Sequence, residues 1–346
     1  SYFYTRGDDA DVILDVTSNP LLNASDTLFL LGMSRSDLRV SRSADSDDVT
    51  LSFSWGGNDS ILLDDEFAYS VLGYQSKIST NSRIEQLMFD HSAGMTWVDL
   101  QQLTIDTYTT ILDDATYGFG TSDLFASSGG NDTLVGFDGG DTYSFGIGSG
   151  LDIVEDNSRY PEDFNIGGLI GYQWKTSDTV QFAAGITAAD VRFARDGATP
   201  DLLITISGQA DTLRIKNQFV GEKLDLFGFF GITWFDRVEL FKFADGTTLT
   251  WEDVLHTVTT GSADDDTLYG AYYQDTLDGK GGADFLSGGN DSDVYLFGRG
   301  YGSDTIKDNQ DNPLTPSIDT LKFGSDVAVG DVIFERDGAT LDLIVR

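Results

Sequence analysis

Residues 261–296 form four consecutive nine-residue blocks, GSADDDTLY, GAYYQDTLD, GKGGADFLS and GGNDSDVYL. Each block opens with glycine and has an aspartate at position six and an apolar residue at position eight. The position-six aspartates are Asp266, Asp275, Asp284 and Asp293, and a fifth block, RGYGSDTIK, adds Asp304 after Phe297-Gly298. The apolar residues at position eight are Leu268, Leu277, Leu286 and Tyr295. A fixed period of this kind predicts a stacked repeat architecture.

A second array in the same register occupies residues 118–144, as GFGTSDLFA, SSGGNDTLV and GFDGGDTYS. After Phe145-Gly146 the block IGSGLDIVE continues it. The aspartates at position six of this array are Asp123, Asp132, Asp141 and Asp152. Near the amino end, RGDDADVIL places Asp11 in the same slot without a neighbouring block.

The nine-residue spacing explains how each block could fold. Glycine at positions one, two and four allows left-handed or otherwise unusual backbone angles in a tight turn. The aspartate then enters the turn, and the apolar residue points inward from a short strand. Each block is thus half a turn of a flattened coil, so aspartates two blocks apart should lie above one another. The predicted pairs are Asp266 with Asp284, Asp275 with Asp293, Asp123 with Asp141, Asp132 with Asp152 and Asp284 with Asp304.

The chemistry of these turns predicts bound Ca²⁺. Carboxylates and converging backbone carbonyls are the hard oxygen ligands that Ca²⁺ takes in sets of six to eight. We expect about five such sites, with Asp11 as a further candidate ligand, and folding of the arrays that is coupled to calcium. Thr121-Ser122 and Tyr272-Tyr273 replace expected turn glycines, so the sequence does not support full occupancy of those two turns.

The composition excludes several other classes of function. The 346 residues include 57 acidic and 21 basic side chains, which give a net charge of -36. Such a chain would be repelled by nucleic acid and by anionic membranes. There is no cysteine and there are only two histidines, so zinc is a poor fit. No apolar run is long enough to span a membrane.

The blocks resemble the G-G-x-G-x-D-x-U-x repeats of RTX proteins. Between the arrays, DTLRIKNQF at 211–219 and FADGTTLTWEDV at 243–254 resemble the haemolysin-type calcium-binding-related spacer domain of that family. The resemblance implies a secreted protein, extracellular or on the bacterial cell surface, that is exported by type I secretion and folds on Ca²⁺.

We predict an all-β chain in which elongated parallel β-roll stacks alternate with hairpin-rich β spacer domains. A longer period, marked by Tyr2, Tyr143 and Tyr295, underlies this alternation. Since the third copy of the pattern stops early, we expect the chain to be cut from a longer array. The predicted segments are a first spacer at 1–117, a roll at 118–155, a second spacer at 156–260, a roll at 261–307 and a truncated third spacer at 308–346.

The leading functional hypothesis is a structural or adhesive segment of a large extracellular bacterial protein, with self-association or a cell-surface or matrix partner. One alternative is the carboxyl-terminal secretion and folding module of an RTX toxin or hydrolase. Another is a self-assembling surface-layer or filament subunit, with the aromatic stretch LDLFGFFGITWF at 224–235 as its joint. His91 and His256 are not placed alike and no serine-acid arrangement accompanies them, so we expect no enzyme activity.

Overall fold

The computed structural model divides into two compact units, Ser1–Tyr160 with Thr176–Gly185, and Pro161–Lys175 with Ile186–Arg346. The residues that it describes are 1–14, 26–43, 48–64, 84–119, 121–126, 128–137, 139–156, 163–166, 170–173, 177–220, 222–226, 230–234, 237–272, 274–308, 317–337 and 340–345.

Strands dominate the described residues. The first thirteen are β1 (Tyr2–Thr5), β2 (Ala10–Ile13), β3 (Thr27–Leu31), β4 (Leu38–Ser41), β5 (Val49–Phe53), β6 (Ser60–Leu63), β7 (Gln86–Phe89), β8 (Met95–Thr96), β9 (Ala115–Tyr117), β10 (Leu124–Phe125), β11 (Thr133–Val135), β12 (Thr142–Phe145) and β13 (Leu151–Glu155). The remainder are β14 (Asp163–Ile166), β15 (Ile170–Gln173), β16 (Thr179–Phe182), β17 (Val191–Arg195), β18 (Leu202–Ile206), β19 (Thr212–Ile215), β20 (Glu222–Leu226), β21 (Phe230–Trp234), β22 (Leu240–Lys242), β23 (Thr248–Thr250), β24 (Thr267–Tyr269), β25 (Thr276–Asp278), β26 (Phe285–Ser287), β27 (Val294–Phe297), β28 (Thr305–Ile306), β29 (Thr320–Phe323), β30 (Val332–Asp337) and β31 (Thr340–Val345).

Two short α-helices, α1 (Trp97–Tyr108) and α2 (Trp251–Val258), begin at equivalent tryptophans. Each follows a threonine N-cap in a capping box, in which Thr96 or Thr250 accepts a hydrogen bond from the backbone of the aspartate three residues later. Three single-turn 3-10 helices lie at Arg35–Asp37, Ala188–Asp190 and Val329–Asp331. Within the described ranges, no helix has the length and apolar character needed to cross a membrane.

Both repeat arrays fold as parallel β-rolls. In the first unit, β9, β11 and β13 form one parallel sheet, while β10, β12 and β16 form another. In the second unit, the two sheets are β24-β26-β28 and β25-β27-β29. Successive strands alternate between the sheets, so a full turn contains two strands. The register pairs Thr267 with Phe285, as the predicted two-block coil requires.

The interior of each roll consists of the residues at position eight. In the second roll Leu268, Leu277, Leu286 and Tyr295 form one buried cluster, against which Leu321 packs. Their counterparts Phe125, Leu134, Tyr143 and Val154 are buried in the first roll. Ile306 differs, with 40% exposure; within the described residues its strand β28 lies at the edge of the sheet and pairs with β26 alone. Burial of these short apolar rows contributes to the stability of the rolls.

The spacer segments are built from antiparallel hairpins and small sheets. In the first unit the sheet orders are β1-β3-β7-β8 and β2-β6-β5-β4. In the second unit β17, β18 and β19 pair antiparallel, β22 pairs with β23, and β15, β14, β21 and β20 form an antiparallel sheet. Strand β18 alternates buried and half-buried residues, which is typical of a sheet with one face on a core.

The predicted all-β class with parallel β-rolls and hairpin-rich spacers is therefore confirmed. The division into five segments stays a prediction. The aromatic stretch at 224–235 contributes the backbone of β20 and β21, which pair antiparallel. Its side chains lie outside the described residues, so its role as a joint also stays a prediction.

Candidate metal centres

The position-six aspartates stack into columns that we call aspartate ladders. In each ladder the backbone N–H of one aspartate donates to Oδ1 of the aspartate one turn further on. The five predicted pairs are joined in this way: Asp123 to Asp141 at 2.8 Å, Asp132 to Asp152 at 3.0 Å, Asp266 to Asp284 at 2.8 Å, Asp275 to Asp293 at 2.9 Å and Asp284 to Asp304 at 3.2 Å. The in-register parallel strands keep these positions at one edge of the coil.

Further aspartates extend the ladders beyond the nine-residue register. Asp114 donates to Asp132 at 3.0 Å and so precedes it in the ladder. At the far end, Asp141 donates to Asp178 at 2.6 Å, and Asp293 donates to Asp319 at 3.0 Å. Sequence reasoning missed Asp178 and Asp319 because 37 and 26 residues separate them from their partners. The signal was an aspartate-threonine pair directly before a strand, as at Asp141-Thr142.

The glycines have two different roles in the turns. In the turns 279–284 and 288–293, positions two and four adopt left-handed angles, as at Lys280 with φ 62° and Gly282 with φ 131°. The glycines at position one do not have left-handed angles. A Cβ atom at Gly279 or Gly288 would instead collide with Oδ2 of the aspartate in its own turn. Position one is therefore glycine because the carboxylate occupies that space.

Several of these carboxylates have one oxygen that lacks a protein partner. Among the described residues, Oδ2 of Asp284, Asp293 and Asp304 is buried without a hydrogen-bond donor. A buried charged oxygen is costly unless a donor or cation compensates it. Burial raises the pKa of Asp293 to about 7, and the charges of Asp275, Asp308 and Asp319 add to the rise. Burial also raises the pKa of Asp304. These oxygens fit a bound divalent cation.

Two three-carboxylate centres lie at the ends of the ladders. The first centre consists of Asp141, Asp156 and Asp178, and the second centre of Asp293, Asp308 and Asp319. In each centre one ligand atom from every residue lies within 4.8 Å of the others. All three members of the first centre are buried, whereas Asp308 in the second centre is exposed.

Each centre is contacted by a tyrosine that holds position eight of a repeat block. Tyr143 donates to Oδ1 of Asp156 at 3.3 Å, and Tyr295 donates to Oδ1 of Asp308 at the same distance. Burial raises the pKa of both tyrosines, so each hydroxyl remains a hydrogen-bond donor at neutral pH. Asp156 and Asp308 were not predicted as ligands, although each follows a position-six aspartate by four residues, in DIVED and DTIKD. The same tyrosine–aspartate contact is therefore present at both centres.

Asp11 lies apart from these ladders. It is an exposed residue of β2, where the parallel register pairs it with Ile61. Within the described part of the chain, no second aspartate joins it by the ladder hydrogen bond. Its role as a calcium ligand therefore stays a prediction.

Comparison with known families identifies the segment between the rolls. Residues 201–253 match the family described as haemolysin-type calcium binding protein related domain. The chain contains a haemolysin-type calcium binding protein related domain. This domain begins at the strand pair β18 and β19 and ends within α2. It includes both segments on which the sequence resemblance rested, at 211–219 and at 243–253, so that resemblance is confirmed.

Among solved structures, the chain is similar to the extracellular lipase LipA from Serratia marcescens, at 16% identity and a TM-score of 0.22. The similarity covers 67% of this chain and 38% of the lipase structure, so the chain spans well under half of that protein. No curated protein gives a significant match. The family likeness is therefore limited to residues 201–253, and the ladders on either side of this segment in the sequence provide the candidate metal sites.

Proposed function

We propose that the chain binds Ca²⁺ along its aspartate ladders and at its two three-carboxylate centres, and that this binding completes the folding of the rolls. The observation that carries the proposal is the set of buried Oδ2 atoms of Asp284, Asp293 and Asp304 that lack donors. Every candidate ligand is an oxygen, which suits Ca²⁺ better than softer metals.

Electrostatics supports a strong coupling between calcium and folding. Three carboxylates within 4.8 Å repel one another when all are ionised, and the repulsion grows as water is excluded. The net charge of -36 adds a long-range repulsion that opposes compaction. Because the ligand sets exist only in the coiled chain, the binding free energy of the cation becomes folding free energy.

The wider role that we propose is a non-enzymatic structural or adhesive segment of a secreted protein, extracellular or at the cell surface. Calcium is abundant outside cells, so rolls that need the ion would fold after export. The carboxylates of the described rolls are organised into ladders by hydrogen bonds along the repeat, which supports a structural use of these side chains rather than a catalytic one.

The test is circular dichroism of the whole chain after chelation, with Ca²⁺ or Mg²⁺ added back. We expect β-sheet signal and melting temperature to rise with Ca²⁺ and to change little with Mg²⁺, which prefers a smaller octahedral site. Equal spectra and melting temperatures with and without Ca²⁺ would overturn the proposal.

A pair of matched variants connects this response to the second centre. Asp293→Asn removes a buried ligand, whereas Asp291→Asn removes the same charge from an exposed position in the same turn. Asn tolerates the left-handed φ of 64° at residue 291. We expect D293N to need about tenfold more Ca²⁺ for half-maximal folding, because one charged ligand is lost. D291N should behave like the natural chain, and equal shifts for both variants would argue against a specific site.

A further inference from the structure

The turns at 118–123 and 270–275 are built differently from the later turns of their ladders. In later turns, position two has a left-handed angle, as at Lys280 with φ 62° and Gly289 with φ 104°. Phe119 and Ala271, which hold position two in these two turns, do not have left-handed angles. Their backbone N–H groups instead donate to Oδ2 of the aspartate in the same turn, Asp123 or Asp275, at 2.5 Å. Ser262 makes the same bond to Asp266 at 2.6 Å, so the arginine contact, and not this bond, distinguishes the two turns.

An arginine from the preceding spacer reaches each of these two turns. In the first unit, Nη1 of Arg42 donates to the carbonyl oxygens of Tyr117 and Gly118 at 2.8 and 2.7 Å. In the second unit, Nη1 of Arg195 donates to the carbonyl oxygen of Gly270 at 2.9 Å. Gly118 and Gly270 both hold position one. The two guanidinium groups thus contact equivalent backbone carbonyl oxygens, at position one of two separate turns.

The surroundings of the two arginines are also alike. The guanidinium of Arg42 lies 3.9 Å from the ring centre of Phe119, and that of Arg195 lies 4.6 Å from the ring centre of Phe219. Each arginine follows an aspartate by five residues, in DLRVSR and DVRFAR. The third spacer repeats this spacing in DVIFER, which ends at Arg336. The arrangement therefore recurs with the long sequence period.

The charge of each arginine acts on the position-six aspartate of the turn. Burial raises the pKa of Asp123 and of Asp275 to about 6, and the positive charges of Arg42 and Arg195 oppose the rise. Burial lowers the pKa of Arg195 to about 10, which leaves it cationic at neutral pH. A planar guanidinium can satisfy carbonyl and carboxylate oxygens together, which suits it to such a turn.

We propose that Arg42 and Arg195 are built-in cations that take the place of Ca²⁺ at the turns 118–123 and 270–275. These two turns then form without calcium, and Ca²⁺ is needed for the later turns of the same ladders, which end at Asp178 and Asp319. The inference rests on the proposed calcium function for those later turns, but not for the two arginine turns themselves.

The sequence supports the proposal independently of the contacts. The turns that an arginine reaches are the two in which Thr121-Ser122 and Tyr272-Tyr273 replace turn glycines. In the first of them, Gln101 of α1 donates to Oδ1 of Asp123 and accepts from Thr121 at 3.1 Å. In this turn protein donors thus reach both carboxylate oxygens of Asp123 and the carbonyl oxygen of Gly118.

The experiment compares Arg195→Gln with Arg192→Gln in the whole chain. Arg192 is an exposed residue of the same strand, β17, so its variant loses the same charge from outside the turn. Amide hydrogen exchange is measured in chelator for peptides that cover 267–278. We expect the natural chain and R192Q to protect this turn without calcium, and R195Q to exchange at least about tenfold faster, since a buried carboxylate without its partner is costly.

Two further variants separate a charge effect from lost packing. Arg195→Lys keeps the positive charge and should retain most of the protection, whereas a packing role would make Lys and Gln equally damaging. Adding Asp275→Asn to R195Q removes the unpaired carboxylate and should restore part of the protection, as coupled partners do in a double-mutant cycle.

Three results would overturn the inference. They are no protection of 267–278 in the chelated natural chain, equal exchange in R195Q and R192Q, and additive effects of R195Q and D275N. None of these readouts requires bound calcium. If Ca²⁺ did not change the fold of the natural chain, the proposed function would be refuted. The comparison of R195Q with R192Q in chelator would still test the role of Arg195.

Discussion

Each ladder aspartate uses its two carboxylate oxygens for different purposes. Oδ1 accepts the backbone N–H of the previous turn and so fixes the stacking of the coil, as from Asp275 to Asp293. Oδ2 faces the space left by the position-one glycine, where in Asp293 it lacks a donor. An asparagine could keep the first interaction through its amide oxygen, but it would lose the charge that the second oxygen offers to a cation.

The position-one glycine gives a prediction that depends on space alone. Gly288→Ala places a Cβ atom against Oδ2 of Asp293 and against the hydroxyl of Tyr295. We expect a loss of roughly 1–3 kcal/mol, as for overpacking of a core, and weaker calcium binding in a titration. Gly330→Ala is the control, because a Cβ there meets nothing within 4 Å. Similar melting temperatures for the two variants would contradict this account.

A second prediction at this scale concerns pH in the absence of calcium. The folded chain raises the pKa of Asp293 from 3.8 to about 7, so between these values it holds a proton that the unfolded chain releases. The chelated protein should therefore lose stability as pH rises from about 4 to about 7. Calcium requires the ionised carboxylate, so its effect should grow over the same range. Melting temperatures in chelator and in calcium at pH 5 and pH 7.5 would check both trends.

The sequence allowed the ladder pairs to be predicted because a constant period translates directly into stacking. Asp156 and Asp308 could not be predicted in this way, since they follow the last regular block of each array. Arg42 was hidden for another reason, because 76 residues separate it from Gly118. A contact between residues so far apart in the sequence depends on how the whole spacer folds, and no local sequence pattern predicts it.

At the scale of elements, the rolls consist of strands that are too short to persist alone. Strands β24, β25 and β26 have three residues each, and β28 has two. The spacer strands β17 and β18 are longer, with five residues each, and they pair antiparallel. Short parallel strands with a narrow apolar interior gain little from burial, so the turns decide whether they form.

Removal of calcium should therefore affect the two kinds of element differently. In chelator we expect fast amide exchange in β26, β27 and β28 and continued protection in β17, β18 and β19, because locally weak segments open first. Hydrogen exchange of the natural chain with and without Ca²⁺ measures this difference. A uniform loss of protection in all six strands would mean that roll and spacer unfold as one cooperative unit.

The strands were predicted well from the sequence because alternation and the position-eight residues report directly on burial. The helices were less clear. Trp97 and Trp251 lie at equivalent positions of the two spacers, and both begin helices. The capping threonine and the aspartate three residues later carried the decisive local signal.

For the whole molecule, the net charge of -36 raises the question whether any salt can stabilise the fold or whether Ca²⁺ is specifically required. Monovalent salt screens long-range repulsion, but it cannot supply the coordination that a carboxylate centre needs. Adding about 0.5 M NaCl to the chelated chain should recover little of the β-sheet signal, because screening acts mainly on exposed charges. Millimolar Ca²⁺ should restore it, and full recovery in NaCl alone would show that charge screening is sufficient.

The second centre also has a mechanical consequence. Asp308 and Asp319 are joined in sequence by ten intervening residues, yet their ligand atoms lie within 4.8 Å. If Ca²⁺ occupies this centre as proposed, a pulling force along the chain would pass through the bound ion before it reached the residues between Asp308 and Asp319. Loss of the ion would release roughly 30 Å of stored length, given the extended reach of a polypeptide. In force spectroscopy, rupture of such a centre would appear as an increase in extension before the rest of the chain unfolds.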